Sequence, residues 1–166
     1  MSDSFTGERS SYSDERSSFP CVFCDIVARA NDPITDDDQS SAHHIVYEDA
    51  EFLAFLDKYP LNPGHTQVIP KAHHRWVWDM ASSEAGFLFM RARRVAKALQ
   101  KVCATDWIIA DTGGIGVAHA HIHLIPRFED DGHGELADPK IFREIPETDM
   151  EDLARKIKAE IRRISD

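Results

Sequence analysis

The chain of 166 residues lacks most features that mark secreted or membrane-bound proteins. It has three cysteines, too few for the disulfide framework of a small secreted domain. No apolar run approaches the roughly 20 residues that a membrane-spanning helix needs. The N-terminus carries Ser, Asp and Glu where a signal peptide needs an apolar core. These absences predict a cytoplasmic protein.

Basic residues are also scarce, with 19 Lys and Arg against 29 Asp and Glu and a formal net charge of -10. A surface with this charge does not attract nucleic acid backbones or anionic lipids, so we expect no non-specific nucleic acid binding and no membrane partner. Any phosphate must therefore be held by a local site of backbone amides, histidines or a few positioned cations. The 42% hydrophobic content is ordinary for a globular domain with a core.

Histidine is concentrated in the segment Val117–Pro126, where His119, His121 and His123 alternate with small or aliphatic residues. Strict alternation predicts a β-strand with three imidazoles on one face and apolar residues on the other. Imidazoles contribute little to packing, because each ring has two nitrogens that need partners. A catalytic histidine face explains the pattern best. A strand with satisfied histidines and a metal site of the cupin kind are the alternatives.

The remaining sequence predicts an α+β fold, an antiparallel sheet with one main helix and a C-terminal helix. We expect strands near residues 44–48, 52–56, 65–70 and 106–110, and a main helix over 82–101. Thr148 and Glu151 predict a capping box for the last helix. By domain, we expect a disordered tail over 1–19, a folded domain over 20–128, and a C-terminal loop and helix over 129–166 packed on it.

Three motifs resemble those of the histidine triad (HIT) superfamily of nucleotide hydrolases and transferases. The first is Tyr47-Glu48-Asp49 followed by residues 52–57, and the second runs from Asn62 to His73. The third is the histidine row that ends in Ile125-Pro126-Arg127. The resemblance covers residues 21–128 and implies the HIT fold.

The resemblance also implies roles for the histidines. The middle histidine of the family attacks the α-phosphorus, so His121 should form a covalent nucleotidyl-imidazole that water then cleaves. A neutral imidazole nitrogen is a good nucleophile when an acceptor fixes the other nitrogen. His123 would contact the phosphate, and His65 would support the site from the neighbouring strand.

Further residues match substrate-binding positions of the family. Asp57 would hold the ribose hydroxyls and Phe55 would contact a purine base, although an aromatic on a strand is commonly core. The backbone amides of three glycines would approach the phosphate: Gly113, Gly114 and Gly116. This turn departs from the family at two positions, with Ile115 in place of Gln and Gly116 in place of Ser. The departures leave the leaving-group preference and the turnover rate open.

A CxxC motif formed by Cys21 and Cys24 is by itself compatible with redox chemistry, half a zinc site or chance. The zinc-containing, Hint-like branch of the family completes such a pair with two histidines, here His73 and His119. This implies a structural Zn²⁺ site with a closed tetrahedral set of ligands. His74, beside His73, is the alternative fourth ligand.

Hint-like relatives form homodimers through the main helix, where this chain has the unbroken apolar run Phe87–Met90. The resemblance thus implies a homodimer that hydrolyses nucleoside phosphoramidates or dinucleoside polyphosphates. The uridylyltransferase branch has Gln in place of His123, and the DNA-end-repair branch adds a zinc module and a basic surface, so both fit less well. A nucleotide-binding protein whose chemistry has decayed is the alternative that the altered glycine turn suggests.

Overall fold

The computed structural model describes residues 21–30, 44–113 and 116–164. The predicted tail, the Asp-rich stretch of sequence over 31–40 and the residues Gly114 and Ile115 lie outside these ranges. The helices are α1 (Val22–Arg29), α2 (Ser82–Val102) and α3 (Glu147–Ile161), and a short 3-10 helix spans Val77–Asp79. The strands are β1 (Ile45–Glu48), β2 (Phe52–Leu56), β3 (Thr66–Pro70), β4 (Ile108–Asp111) and β5 (Ile122–Pro126). None of the helices in the described ranges is long and apolar enough to cross a membrane.

The five strands form one antiparallel sheet in the order β1-β2-β3-β5-β4. Strands that follow one another along the chain pair through hairpins, except that β5 inserts between β3 and β4. This confirms the predicted α+β architecture. This insertion places the histidine segment beside β3. Because His65 directly precedes β3, it comes close to the histidines of that segment.

Each face of the sheet is covered, because successive residues of a strand point to opposite sides. In β2, Phe52 and Leu56 pack in the larger core against α2 and α3, whereas Leu53 and Phe55 pack in a smaller cluster against α1. The whole of β2 is therefore buried, which explains why its sequence is a continuous apolar run.

The C-terminal helix packs through four buried residues into the larger core: Met150, Ala154, Ile157 and Ile161. It begins at Glu147 after Pro146, and no side chain caps it. The predicted capping box is therefore wrong, since Thr148 lies inside the first turn. The Pro146 carbonyl starts the helix instead by accepting the Met150 N–H at 3.1 Å, and the ring of Pro146 fixes its φ at -55°.

The predicted histidine strand is confirmed only in its second half, because β5 begins at Ile122. The Ala120 N–H donates to the His74 carbonyl at 2.6 Å. In that position Ala120 cannot continue the β3–β5 ladder, which ends at Val68 and Ile122. The apolar side of the segment is as predicted, since Ala120, Ile122 and Leu124 belong to the larger core.

Candidate functional site

Three histidines form a hydrogen-bonded row across two neighbouring strands. His123 lies on β5, His121 directly precedes it, and His65 directly precedes β3. The His65 Nε2 lies 2.9 Å from the His123 Nδ1, and the His123 Nε2 lies 3.0 Å from the His121 Nε2. The pairing of β3 with β5, which sets Gln67 opposite His123, brings the rings together.

Backbone groups at the two ends of the row fix the tautomers of its members. The Leu61 N–H, which can only donate, lies 3.2 Å from the His65 Nδ1, and the His119 carbonyl, which can only accept, lies 2.6 Å from the His121 Nδ1. The two inner hydrogen bonds are then satisfied when His65 and His123 each carry a proton on Nε2. The Nε2 atom of His121 is left without a proton, with its lone pair toward the row.

Burial keeps these rings neutral at pH 7. Burial lowers the pKa of His121 and of His65 from the ordinary value of 6.5. Burial, together with His65 and His121, lowers the pKa of His123 to about 4. The site therefore offers a neutral imidazole nitrogen, the form of histidine that acts as a nucleophile.

Asp57 lies beside the row, and its carboxylate is held on both oxygens. Its Oδ1 accepts the Tyr59 N–H at 2.8 Å, its Oδ2 accepts the Gln67 Nε2 at 2.6 Å, and the same Oδ2 lies 3.6 Å from the His65 Nε2. Each oxygen still has a lone pair for a further donor. By contrast, Phe55 is 1% exposed and packs against Phe23 with ring centroids 5.5 Å apart. Its contact with a base stays a prediction.

Two cavities meet at His123. The smaller, about 360 Å³, is lined by His121, Phe23, Gln67 and the glycine turn, and the larger, about 520 Å³, lies beside Asp57 and His65. Gly113 and Gly116 line the smaller cavity, while Gly114 lies outside the described residues. The Gly113 N–H already donates to the Asp111 Oδ1 at 3.0 Å.

A second cluster brings together Cys21, Cys24, His73 and His119. Their ligand atoms all lie within 4.8 Å of one another. The His119 Nδ1 is 3.4 Å from the Cys21 sulfur, and the His73 Nδ1 is 3.3 Å from the Cys24 sulfur. The alternative ligand His74 points elsewhere and pairs with Glu84 at 2.9 Å.

The chemistry of this donor set fits a zinc ion. Two sulfurs and two imidazole nitrogens make a closed set of four, as in structural zinc sites. The His119 Nε2 donates to the Pro70 carbonyl at 2.8 Å, which leaves its Nδ1 free to coordinate. Burial and the neighbouring Cys21 raise the pKa of the Cys24 thiol to about 11, so a pair of thiolates here needs a cation to offset its charge.

Several residues of the site were not singled out from the sequence. The Leu61 N–H donates to His65 from its backbone position, and Gln67 donates to Asp57 because of the strand register. Neither contact can be predicted from the residue type in the sequence. His133 is half-buried and donates from Nε2 to the Leu61 carbonyl at 3.2 Å. His44 is buried and pairs with Glu147.

Comparisons with known proteins place the chain among histidine triad proteins. The sequence profile of the HIT domain matches residues 38–130, more than half of the chain. An uncharacterised HIT-like protein of Methanocaldococcus jannaschii is 32% identical over 83% of this chain and 98% of its own length. An adenylylsulfatase of Arabidopsis thaliana is 31% identical over 67% of this chain and 54% of its own. The crystal structure of a Zn-bound histidine triad family protein of Mycobacterium smegmatis superposes with a TM-score of 0.64 at 29% identity, covering 86% of this chain and 94% of that one.

Proposed function

This chain belongs to the HIT family, and from this premise we propose that it hydrolyses nucleotides at the α-phosphate through a covalent nucleotidyl-histidine intermediate. The proposed substrates are purine nucleoside phosphoramidates or dinucleoside polyphosphates. The alternative is a nucleotide-binding protein with little activity. The family contains enzymes that act on nucleotide derivatives, such as the adenylylsulfatase of Arabidopsis thaliana.

One observation carries the proposal: His121 lines the smaller cavity, and its Nδ1 lies 2.6 Å from the His119 carbonyl, which places the proton of the ring there and leaves the Nε2 lone pair free. The His119 carbonyl holds the proton of His121 on Nδ1, 2.6 Å away. A ring held in this way needs no change of tautomer before it attacks. The same hydrogen bond stabilises the ring when it becomes positively charged on forming a bond to phosphorus.

In the proposed first step, the lone pair of the His121 Nε2 attacks the α-phosphorus. The bond from phosphorus to the leaving nitrogen or oxygen breaks, and the leaving group departs with the electron pair and takes up a proton. In the second step, water attacks the phosphorus, the bond to the His121 Nε2 breaks, and a proton is released. The net reaction consumes one water and yields a nucleoside monophosphate and the free leaving group.

The other residues of the site would bind and orient the substrate. His123 donates from Nε2, now toward His121, and could redirect that proton to a phosphate oxygen whose charge grows in the transition state. His65 holds His123 in this orientation. Asp57 retains lone pairs for the ribose hydroxyls, and the amide of Gly116 would approach the phosphate.

We further propose that Cys21, Cys24, His73 and His119 bind one structural zinc ion. Bound zinc would neutralise the thiolates and cross-link α1 to the segments that precede α2 and β5. Because His119 supplies the carbonyl that orients His121, a rigid His119 would also steady the nucleophile.

The decisive experiment offers the zinc-loaded protein an adenosine phosphoramidate and measures release of AMP and amine. We expect multiple turnovers, and transient labelling of the protein when the α-phosphate carries ³²P. Tight AMP binding without turnover of any phosphoramidate or dinucleoside polyphosphate would support the alternative.

We also propose a homodimer, as the resemblance implied. In α2, Leu88 is fully buried, whereas Phe87, Phe89 and Met90 are 44%, 47% and 56% exposed. Strand β4 lies at the edge of the sheet, where it leaves one row of backbone groups open for pairing. Exposed large apolar side chains and an open sheet edge are each typical of an interface.

Light scattering at micromolar concentration tests the dimer. We expect a dimeric mass for the wild type and a shift toward monomer in Phe89→Glu or Met90→Glu. The control is Val22→Glu, which places the same charge on a residue that is also half-exposed but lies on α1. A monomeric wild type would contradict the proposal.

A further inference from the structure

The segment 131–143 lies beyond the region that the HIT profile matches, yet it holds the turn that leads into β3. That turn, residues 60–64, is part of the described chain but lies outside its helices and strands. His133 reaches the turn from the segment and donates from Nε2 to the Leu61 carbonyl at 3.2 Å. The backbone of the turn is therefore held by a side chain that is distant in sequence.

Two further contacts fix the turn on either side of Leu61. The Arg143 N–H donates to the carbonyl of the preceding residue, Pro60, at 2.7 Å. The side chain of the following residue, Asn62, donates from Nδ2 to the Oδ2 of the buried Asp131 at 2.8 Å. The segment thus contacts three consecutive residues of the turn, and the contact in the middle comes from a histidine.

The proton of His133 has one position that satisfies both neighbours of the ring. The Asp138 N–H, which can only donate, lies 3.1 Å from the His133 Nδ1. The Leu61 carbonyl, which can only accept, lies 3.2 Å from the His133 Nε2. His133 therefore carries its proton on Nε2, and a ring turned over by half a rotation would put carbon atoms at both contacts.

Leu61 transmits this constraint to the histidine row. Its N–H donates to the His65 Nδ1 at 3.2 Å, so a single residue presents its carbonyl to His133 and its amide to His65. Because the carbonyl and the amide share one Cα and two soft dihedral angles, a hydrogen bond on the carbonyl limits the rotations that would turn the N–H away.

The tautomer of His65 sets the direction of the hydrogen bonds that follow it. With Nδ1 occupied by the Leu61 N–H, His65 donates from Nε2 to the His123 Nδ1, and His123 donates from its own Nε2 to His121. In the opposite tautomer, His123 would carry its proton on Nδ1. Its Nε2 lone pair would then face the lone pair of the His121 Nε2 at 3.0 Å, and the donor at this point of the row would be lost.

We infer that His133 is a positioning residue of the active site: by holding the Leu61 carbonyl, it keeps the Leu61 N–H on His65 and thereby keeps a proton on the His123 Nε2. The consequence for catalysis rests on the proposed function, in which that Nε2 donates to a phosphate oxygen in the transition state. The tautomer of His65 itself does not depend on any activity.

Two substitutions of His133 separate this role from simple support of the segment. In His133→Gln the amide nitrogen can take the place of Nε2 and donate to the Leu61 carbonyl. In His133→Asn the amide oxygen can take the place of Nδ1 and accept the Asp138 N–H, but the side chain is too short to reach Leu61. His133 is half-buried and lies outside the helices and strands, so both variants should fold.

Kinetics of the zinc-loaded proteins with an adenosine phosphoramidate give the first readout. We expect His133→Asn to lower kcat about tenfold, as for the loss of one hydrogen bond in a chain, and to keep KM within about twofold. KM should be kept because His133 is not among the described residues that line either cavity. His133→Gln should keep kcat within about threefold of the wild type. An equal loss in both variants, or a larger loss in His133→Gln, would overturn the inference.

The ¹⁵N NMR spectrum of histidine-labelled, zinc-loaded protein gives a second readout that requires no turnover. Protonated and unprotonated ring nitrogens differ in chemical shift, so the spectrum reports the tautomer, and the His65 signals are assigned by their loss in His65→Gln. We expect His65 to be protonated on Nε2 alone in the wild type and in His133→Gln, and to exchange between both tautomers in His133→Asn.

This spectrum separates the inference from the proposed function. Mixed tautomers of His65 in His133→Asn, restored to one in His133→Gln, would support the positioning role even if the wild type hydrolysed nothing. A His65 spectrum that is the same in the wild type and in His133→Asn would overturn that role even if the wild type were an active hydrolase.

Discussion

Two histidines separated by a single alanine, His119 and His121, present opposite nitrogens to their surroundings. His119 donates from Nε2 to the Pro70 carbonyl and turns its Nδ1 toward the sulfurs of Cys21 and Cys24. His121 donates from Nδ1 to the His119 carbonyl and turns its Nε2 toward His123 and the cavity. The same side chain thus leaves its Nδ1 free beside a cluster of potential metal ligands in one place and its Nε2 free beside a cavity in the other.

This difference arises from the backbone carbonyl to which each ring donates its hydrogen bond. A neutral imidazole has one donor and one acceptor, so capturing the donor at one nitrogen exposes a lone pair at the other. Pro70, at the end of β3, reaches the Nε2 of His119. The carbonyl of His119 itself reaches the Nδ1 of His121, two residues on. Alternating histidines therefore need not act as a set.

The surroundings of the two rings differ in the same sense. Around His119 stand two thiols and His73, a donor set that calls for a cation. The ring of His121 instead lies beside that of His123, with ring centroids 4.7 Å apart, and both rings line the smaller cavity. Four tests would break or sharpen this comparison.

The largest effect is expected for His121→Asn. Loss of the nucleophile should lower kcat by at least about 10³-fold, because the remaining groups cannot provide a covalent route. Quenched reactions with an α-³²P-labelled phosphoramidate should trap label on the wild type and none on the variant. His44→Asn, a buried histidine paired with Glu147 away from the row, is the control and should still be labelled. Near-normal turnover by His121→Asn would refute the covalent mechanism.

The next largest effect concerns the metal. The wild type should contain about one zinc per chain, and the double variant Cys21→Ala/Cys24→Ala should contain none. Because the binding free energy of a structural site is folding free energy, the melting temperature should fall by about 10 °C or more. Cys103→Ala removes a cysteine that lies outside the cluster and is the matched control. Zinc that persisted in the double variant would contradict the assignment.

The two adjacent histidines His73 and His74 provide a finer test of the same site. Only His73 directs a ring nitrogen at the cluster, while His74 pairs with Glu84. We therefore expect His73→Ala to weaken zinc retention against a chelator and His74→Ala to keep it, as measured by metal analysis after dialysis. If His74→Ala lost zinc and His73→Ala kept it, His74 would be the ligand in place of His73.

The smallest effect is a pH dependence of stability. The pKa of His123 is about 4 in the folded chain against 6.5 ordinarily, so the unfolded chain binds more protons between these values. The free energy of unfolding should then fall as the pH drops from about 6.5 toward 4, and His123 should account for about 2 kcal/mol of the loss at pH 5. In His123→Gln this contribution should disappear, so the free energy of unfolding measured by urea denaturation should decrease less between pH 7 and pH 5. Zinc content must be equal in both proteins, and an identical decrease in both would contradict the neutral state of His123.

The sequence by itself determined the fold class and the family. The order of three motifs indicated the family. The alternation around the histidines and the apolar stripe of α2 are local patterns, and the residue periods of strands and helices predict from them which side chains are buried and which are exposed. Ala120, Ile122 and Leu124 fall in the core for this reason. The pairing of His73 with the two cysteines followed from the resemblance, and the spacing alone could not have chosen between His73 and His74.

Only the tertiary structure decided which nitrogen of each histidine is free and what stands opposite it. The start of β5 at Ile122 depends on the His74 carbonyl, and the tautomer of His65 depends on the Leu61 peptide. The Asp- and Gly-rich stretch after Phe128 carries no periodic signal, yet the buried pair of Arg127 and Asp131 folds it over the site. These contacts join backbone groups and side chains that the strand order brings together. They cannot be predicted from the spacing of residues along the chain.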